Sequence, residues 1–287
     1  MIRKLLWVTL LVAYIVVTLH LADHLSNRPA VVKLGYTPTA EVLKIVSGDQ
    51  RYSVAEFTVL KVLLYFGSLI EQWKQNLLVP PEYFNMYKTL EAAVKLDPYN
   101  MDAYYFAQAA FTWEIGRAKD VNAMLDYGMK YRTWDWYLPF FAGFNSAYFL
   151  KDYDKAGLYM RRAAEISGSP LFTNLAARYF YEAGRSDFGL VFLDEMIVRA
   201  KDPKVQAVYQ LRKEALSAVR DLEAAVEVFR SRFQRPPRHL SELVVTGILA
   251  ALPKDPYGGE FYLDPEGKVR SSSKFAPPKE TGEGIYD

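Results

Sequence analysis

Residues 137–170, YLPFFAGFNSAYFLKDYDKAGLYMRRAAEISGSP, contain the pattern that decides the fold. An apolar helical segment carries the small residue Gly143, the turn FLKDYDK follows, and a second helical segment contains Ala156 and Ala163. Two helices that pack closely need small side chains where they approach each other. The stretch therefore predicts a helical hairpin.

The same plan recurs on both sides at a spacing of 34 residues. Ala109 precedes Gly143 by 34 residues, and Ala177 follows it by 34. The turn glycines Gly116 and Gly184 are 68 residues apart, which is twice this spacing. Similarity at a fixed period is the signature of a repeat architecture, so the middle of the chain is predicted to be an array of helical hairpins.

The repeat resembles the tetratricopeptide repeat. The resemblance first becomes visible at LEAAVKLDPYN, residues 90–100, where an Ala-rich second helix ends in a Leu-x-Pro turn. It implies three units over residues 101–203 and a divergent first unit over residues 53–98. Units of this family stack into a solenoid whose first helices line a concave groove.

The resemblance also implies which side chains line that groove. Through the 34-residue register it selects Phe106, Trp113, Tyr137, Phe140, Phe144, Asn174, Arg178 and Tyr181. An aromatic groove with one cation suits an extended peptide or a partner helix. Aromatic residues at helical spacing are equally typical of a core between repeats, so both roles stay open for this set.

The carboxyl-terminal part of the chain predicts a small α+β module. Pro236 and Pro237 end a long amphipathic helix, and a short helix with Ser241 near its start follows. In LPKDPYGGEFYLDPEGKVRSSSKF, residues 252–275, strands are predicted over 261–263 and 268–272 around a turn at 264–267.

Residues 224–275 resemble the globular head of the type II secretion major pseudopilins. The resemblance rests on the aromatic residues Phe229 and Phe233, on RPPRHLSEL and on LPKDPYGGEFYL. In that family a Leu-Pro-x-Asp-Pro-Tyr/Trp-Gly segment marks the loop that leads into the sheet. The resemblance implies that this loop is formed here by Asp255, Pro256, Tyr257 and Gly258.

Two departures limit this second resemblance. The prepilin cleavage motif is absent before the amino-terminal apolar segment. SSSKFAPPKETGEG, residues 271–284, offers too few clustered oxygen ligands for the family's calcium loop. We therefore expect the head fold without a metal ion. The alternative is a cap that covers the exposed apolar end of the repeat array, followed by a flexible tail.

The amino terminus predicts a membrane anchor. Apart from Thr9 and Thr18, residues 5–19 are apolar, and the apolar stretch extends to Ala22, close to the ~20 residues that a spanning helix needs. Arg3 and Lys4 precede it, which predicts a cytoplasmic amino terminus. We therefore expect a single span over residues 5–22 in the bacterial inner membrane, with the bulk of the chain in the periplasm.

Two alternatives concern membrane insertion. A cleaved signal peptide is disfavoured because His20 occupies the place of the small residue that should precede a cleavage site at Ala22. A second apolar stretch covers residues 53–73, but Glu56 and Lys61 interrupt it. A buried helix is therefore expected there rather than a second span.

Composition excludes several functional classes. The formal net charge of +2 gives no electrostatic basis for binding nucleic acid. The chain has no cysteine and only three histidines, which excludes thiolate metal sites and a cysteine nucleophile. Neither a hydrolase signature nor a nucleotide-binding signature is present. We expect no catalytic activity, no cofactor and no metal site.

Together these observations predict a mainly α protein with the following organisation: a transmembrane signal anchor (1–24), a linker with a short helix (25–52), tetratricopeptide-like repeats (53–223), a pseudopilin-like or capping module (224–275) and a flexible tail (276–287). The expected function is that of a membrane-tethered extracytoplasmic scaffold, which binds protein partners through its groove in a cell-envelope assembly such as a secretion or pilus system. The alternative is a glycan- or peptidoglycan-binding accessory subunit of a cell-wall enzyme.

Overall fold

The described part of the chain is mainly helical and contains one small sheet. The computed structural model describes residues 2–26, 33–74, 80–114 and 116–276. Its helices are α1 (Ile2–Ser26), α2 (Ala40–Ser47), α3 (Arg51–Lys74), α4 (Tyr83–Leu96), α5 (Met101–Ala109), α6 (Ala118–Met129), α7 (Tyr137–Tyr148), α8 (Tyr153–Ser167), α9 (Pro170–Glu182), α10 (Ser186–Arg199), α11 (Pro203–Phe233) and α12 (Ser241–Val245). Strands β1 (Phe261–Leu263) and β2 (Val269–Ser271) pair antiparallel.

This architecture confirms the predicted mainly α class with a helix and a β-hairpin at the carboxyl end. The assignment of the helices to tetratricopeptide repeats stays a prediction. The chain divides into two compact units, Met1–Ala93 and Val94–Asp287, with the boundary inside α4. The tail expected at 276–287 lies outside the described residues except for Ala276.

In the second unit each helix packs against the next one along the chain. This holds for α6 with α7, α7 with α8, α8 with α9, α9 with α10 and α10 with α11. Side chains cap the helix starts: Asn100 Oδ1 accepts a hydrogen bond from Ala103 N at 2.9 Å, and Asp152 Oδ1 accepts one from Lys155 N at 3.1 Å. Gly168 ends α8 with a φ of +67°, which glycine adopts without strain.

Glycines lie where successive helices approach most closely. A Cβ atom on Gly143 of α7 would lie 3.0 Å from Met160 Cε of α8. One on Gly157 of α8 would lie 2.8 Å from the Phe180 ring of α9, and one on Gly189 of α10 would lie 2.6 Å from a leucine methyl group of α11. The expectation that small residues mark helix contacts is confirmed at Gly143.

Ala109 departs from this rule because it is exposed. Directly after it, α5 continues as a π-helical turn over Ala110–Glu114. A π-helical turn holds more residues than an α-helical turn, so it rotates the residues that follow it around the helix axis. Trp113, inside this turn, is 55% exposed, whereas Tyr181, two periods later, is 5% exposed because the carboxyl-terminal hairpin covers it. Equivalent positions of the 34-residue register therefore differ in exposure.

The carboxyl-terminal module shares one apolar core with the helices before it. α11 runs through the predicted boundary at residue 224 without a break. Among the described residues, side chains from α8 to α11 join one buried cluster with Leu240, Leu243, Tyr257, Val269 and Phe275. The module thus covers apolar surface of the preceding helices, as a cap must.

The first unit contains two long apolar helices. In α1, every side chain that the structure describes from Trp7 to Asp23 is exposed. Within the described residues, the segment that is long and apolar enough to cross a membrane is Ala40–Ile70, with a mean hydropathy of 1.6 over its most apolar window. The apolar part of α1 described at Thr9–Asp23 is shorter.

This result leaves one expectation untested and differs from another. Among the described residues, the candidate span by length and composition lies at Ala40–Ile70, and the span expected over residues 5–22 stays a prediction. The stretch over residues 53–73 was also expected to be a buried helix, yet only 28% of the apolar window is buried. One side of α3 is buried and the other side is exposed.

We predict that Gly157→Ala lowers the free energy of unfolding of the second unit by about 1–3 kcal/mol, because the added methyl group overlaps the buried Phe180 ring. Gly67→Ala is the matched control. Gly67 is also helical, but nothing lies within 4 Å of the position that its methyl group would occupy, so alanine there should be neutral or stabilising. Urea denaturation of the detergent-solubilised chain, followed by circular dichroism, measures both. Equal effects of the two substitutions would contradict the close contact.

Candidate functional site

An open cavity of about 580 Å³ lies between α5, its π-helical continuation and α7. Five of the described side chains that line it are aromatic, and its lining consists of Tyr105, Gln108, Ala109, Trp113, Phe140, Phe141 and Phe144. Volumes of about 300–1,000 Å³ are typical of ligand pockets in proteins. The cavity is therefore large enough to hold several side chains of a partner.

The cavity walls consist of contacting rings. Trp113 lies 6.0 Å from Phe144 between ring centroids, and Tyr105 lies 6.3 Å from Phe141 in an edge-to-face arrangement. Both Trp113 and Tyr105 are 55% exposed, while the phenylalanines are partly buried. The two exposed rings thus form a rim above an apolar interior.

The polar groups beneath the cavity are bonded to one another. Gln108 Nε2 donates to Asn145 Oδ1 at 2.9 Å, and Asn145 Nδ2 donates to Gln108 Oε1 at 2.7 Å. Asn145 Nδ2 also donates to Asn122 Oδ1 at 2.9 Å, and Asn122 Nδ2 donates to Ser146 Oγ at 3.1 Å. Buried amides must be paired in this way to avoid a desolvation cost of about 1–3 kcal/mol each.

These bonds determine which ligands the cavity can accept. Among the described lining residues, Gln108 contributes a buried amide whose two ends already bond to Asn145. The hydroxyl of Tyr105 and the indole N–H of Trp113 are polar groups of the exposed rim. The described lining also contains no charged side chain. A ligand in the interior of the cavity therefore gains mainly from burying apolar surface against the rings, and hydrogen bonds to the lining would come from the rim.

The cavity includes only part of the predicted groove. Trp113, Phe140 and Phe144 line it, and Tyr137 contacts its wall through Phe141 at 4.9 Å between ring centroids. Phe106 is half-buried and is not part of the lining.

The three predicted groove residues on α9 lie elsewhere. Arg178 is exposed, and Asn174 is half-buried with an Oδ1 atom that has no hydrogen-bond partner among the described residues. Tyr181 is buried beneath the hairpin, where its hydroxyl accepts a hydrogen bond from Ser271 N at 3.1 Å and its ring lies 4.7 Å from that of Phe275. The assignment of Tyr181 to the groove is therefore wrong. Its side chain joins the hairpin to α9 and cannot contact a ligand in the groove.

A buried arginine lies at the same junction. Arg212 of α11 is 8% exposed, and its guanidinium carbon lies 5.0 Å from the Tyr257 ring centroid and 5.4 Å from that of Phe275. Burial lowers the pKa of Arg212, and the nearby charge of Arg178 lowers it further, yet arginine stays protonated in proteins. Stacking on two rings offsets part of the cost of burying this cation.

The predicted pseudopilin-like loop has a structural role in the hairpin. The Asp255 carboxylate accepts hydrogen bonds from Ser271 Oγ, from Ser273 Oγ at 2.6 Å and from Tyr257 N at 2.9 Å. Gly258 follows with a φ of +80°, as a tight turn requires. The loop residues thus hold β2 and the chain after it in place.

Four lining residues escaped prediction from the sequence: Tyr105, Gln108, Ala109 and Phe141. Tyr105 precedes the predicted Phe106 by one residue, and Phe141 follows Phe140 by one. A one-residue error in helix phase explains both. Gln108 and Asn145 are polar residues within apolar helical segments, and that pattern was the available signal of a buried amide pair.

Comparison of the chain with family models, with curated proteins and with solved structures finds no match.

The placement of Trp113 and Tyr181 predicts different effects of alanine at the two positions. Tyr181→Ala should lower the free energy of unfolding by about 3–5 kcal/mol, because it removes a buried ring and leaves Ser271 N unpaired. Trp113→Ala should cost about 1 kcal/mol, because half of the indole is already exposed. Urea denaturation checks both values. Similar losses for the two variants would place Trp113 in the core and remove it from the cavity rim.

Proposed function

We propose that the protein is a membrane-tethered scaffold that binds a protein partner through the aromatic cavity. The observation that carries the proposal is the pairing of Gln108 with Asn145 beneath aromatic walls. A cavity of this kind accepts apolar side chains, and the exposed rings of Trp113 and Tyr105 can cover a partner helix or an extended peptide. The proposed activity is binding and not catalysis.

The alternative, a glycan-binding accessory subunit, has one feature in its favour. The exposed indole of Trp113 and the exposed ring of Tyr105 could stack on a sugar face. A sugar also needs several hydrogen-bond partners, whereas the Gln108 amide is engaged and the other polar groups of the described lining are the Tyr105 hydroxyl and the Trp113 N–H. A hydrolase would need a pair of carboxylates across the cavity, and the described lining contains none. Protein binding is therefore the better proposal.

The proposed tether is α1. Its described side chains from Trp7 to Asp23 are all exposed, and they are apolar around the whole helix apart from a few polar residues. Thr18 Oγ1 donates to Tyr14 O at 2.7 Å, which satisfies a polar group within the helix. With Arg3 and Lys4 on the cytoplasmic side, the second unit would lie in the periplasm.

The proposed setting is a cell-envelope assembly. The consecutive packing of α6 to α11 supports the tetratricopeptide-like array. The hairpin and its Asp255 loop support the resemblance to a pseudopilin head. A secretion or pilus system is the assembly that this resemblance suggests, by analogy of fold alone.

We predict that a photo-crosslinking amino acid at position 105 forms adducts with a partner protein in cells. Tyr105 is on the cavity rim, so a crosslinker at this position reacts with a protein that binds in the cavity. Position 134 is the matched control, since Trp134 is 61% exposed and is not among the lining residues. Adducts are read by mass spectrometry after affinity purification of the full chain.

The effect of Trp113→Ala on these adducts completes the test. It should reduce the position-105 adducts at least fivefold, because the partner loses the exposed indole. Trp134→Ala should leave them unchanged. Recovery of glycan without protein would favour the alternative function, and equal adducts at positions 105 and 134 would reject the cavity as a binding site.

We also predict that the second unit is periplasmic. The chain contains no cysteine, so Thr133→Cys places one thiol at an exposed site of that unit. A membrane-impermeant maleimide should label this thiol in spheroplasts as fully as in lysed cells. Labelling only after lysis would place the unit in the cytoplasm. Release of a soluble chain that lacks residues 1–22 would show cleavage and reject the tether.

A further inference from the structure

The helix α3 carries two apolar stripes on opposite sides. One stripe is buried and consists of Ala55, Val59, Val62, Tyr65 and Leu69. The other, which we call the outer stripe, consists of Phe57, Leu60 and Leu64, which are 71%, 46% and 66% exposed. Residues spaced by three and four positions lie on one face of a helix, so the outer stripe is continuous. A helix with a single packing face has no need of a second apolar stripe.

Charged side chains border the outer stripe on both sides. Glu56 precedes Phe57 and Lys61 follows Leu60, and both charged residues are exposed. At about 100° per residue, Glu56 lies on one flank of the stripe and Lys61 on the other. The exposed side of α3 is therefore an apolar band between two polar edges.

The short helix α2 continues this exposed apolar character. Val42, Ile45 and Val46 lie at the spacing of one helical face and are 48%, 84% and 79% exposed. Between α2 and α3 the chain contains only the turn Gly48–Gln50. The first unit thus presents exposed apolar faces on two consecutive helices.

We propose that the outer stripe of α3 lies in the interface of the bilayer, parallel to the membrane, with the apolar face of α2 beside it. Amphipathic helices bind membranes in this way, with the apolar face at the boundary between headgroups and acyl chains and the charges directed to water. Glu56 and Lys61 at the edges of the stripe fit this position. The inference rests on the proposed tether, because α1 is what holds the unit at the membrane.

A lipid surface fits better than a membrane span. The segment Ala40–Ile70 has the length and hydropathy of a spanning helix. A spanning position, however, would bring Glu56 and Lys61 into the hydrocarbon, where charges are costly. The buried stripe also faces protein, so only the outer stripe remains for lipid.

A lipid surface also fits better than a second protein. The end of α1 at Ser26 and the start of α2 at Ala40 are 14 residues apart, so an extended chain keeps α2 within about 50 Å of the end of the tether. The most apolar window of the segment has a mean hydropathy of 1.6, which is in the range of membrane helices. The outer stripe is therefore held close to the one apolar medium that the tether already occupies.

Depth-dependent quenching of a fluorophore tests the proposal. The full-length chain, which has no cysteine of its own, carries a single cysteine at position 57 or 64 labelled with an environment-sensitive NBD group. It is reconstituted in vesicles of phosphatidylethanolamine and phosphatidylglycerol that contain lipids with nitroxide quenchers at shallow or deep acyl positions. Position 198 is the control, because Val198 of α10 is 85% exposed in the second unit.

We expect NBD at positions 57 and 64 to be quenched equally, and at least twofold more by the shallow nitroxide than by the deep one. NBD at position 198 should not be quenched. A depth difference of about 10 Å between positions 57 and 64, the rise of seven helical residues, would show a spanning helix and overturn the proposal. An apolar NBD spectrum without quenching would show a protein contact instead, and it would equally overturn the proposal.

A label at position 16 separates this inference from the proposed tether. Deep quenching at position 16 without quenching at positions 57 and 64 would keep the tether and reject the interfacial position of α3. Absence of quenching at position 16 would reject the tether itself. Circular dichroism of each labelled chain, compared with the unlabelled chain, verifies that the helices are intact.

Discussion

The close contact of successive helices through glycine is the constraint on which the second unit depends. At Gly143, Gly157 and Gly189 the neighbouring side chain lies at or inside the distance that a methyl group would need. Glycine leaves room at these contacts for a large neighbour such as the Phe180 ring, while other aromatic residues line the open cavity between α5 and α7. The position 34 residues before Gly143 is occupied by Ala109, which is exposed. The nearby rings of Tyr105 and Trp113 are exposed as well.

The pairing of polar groups explains what each region of the second unit can do. Beneath the cavity, Gln108, Asn145 and Asn122 satisfy one another, so the surface above them offers rings and no free amide. Beneath the hairpin, Asp255 holds two serines and a backbone amide. Polar networks that are complete in this way rigidify their surroundings. The first network leaves an open apolar cavity, whereas the second closes the apolar end of the helices and so has a structural role.

The sequence predicts the periodic part of this structure and fails where the period is interrupted. Helix pairs follow from small residues at 34-residue spacing, and the hairpin follows from turn residues around Asp264 and Gly267, because both signals are local. The π-helical turn at Ala110–Glu114 leaves no such signal in the sequence. The burial of Tyr181 could not be predicted either, because it depends on residue 271, which is 90 positions later in the chain.

The two apolar helices of the first unit have similar composition but different patterns, and the pattern decides the environment of each. α1 is apolar on all sides, which is the pattern that a helix in the hydrocarbon core needs and on which the proposed tether rests. Around α3, a buried stripe and the outer stripe lie on opposite sides, and charged residues lie at the edges of the outer stripe. Each face of the helix therefore has its own environment. Hydropathy averaged over a window ignores this direction, so it does not distinguish the two patterns. A helix that must contact protein, water and lipid on three sides is suited to the boundary between them, and that boundary is where the tether would hold it.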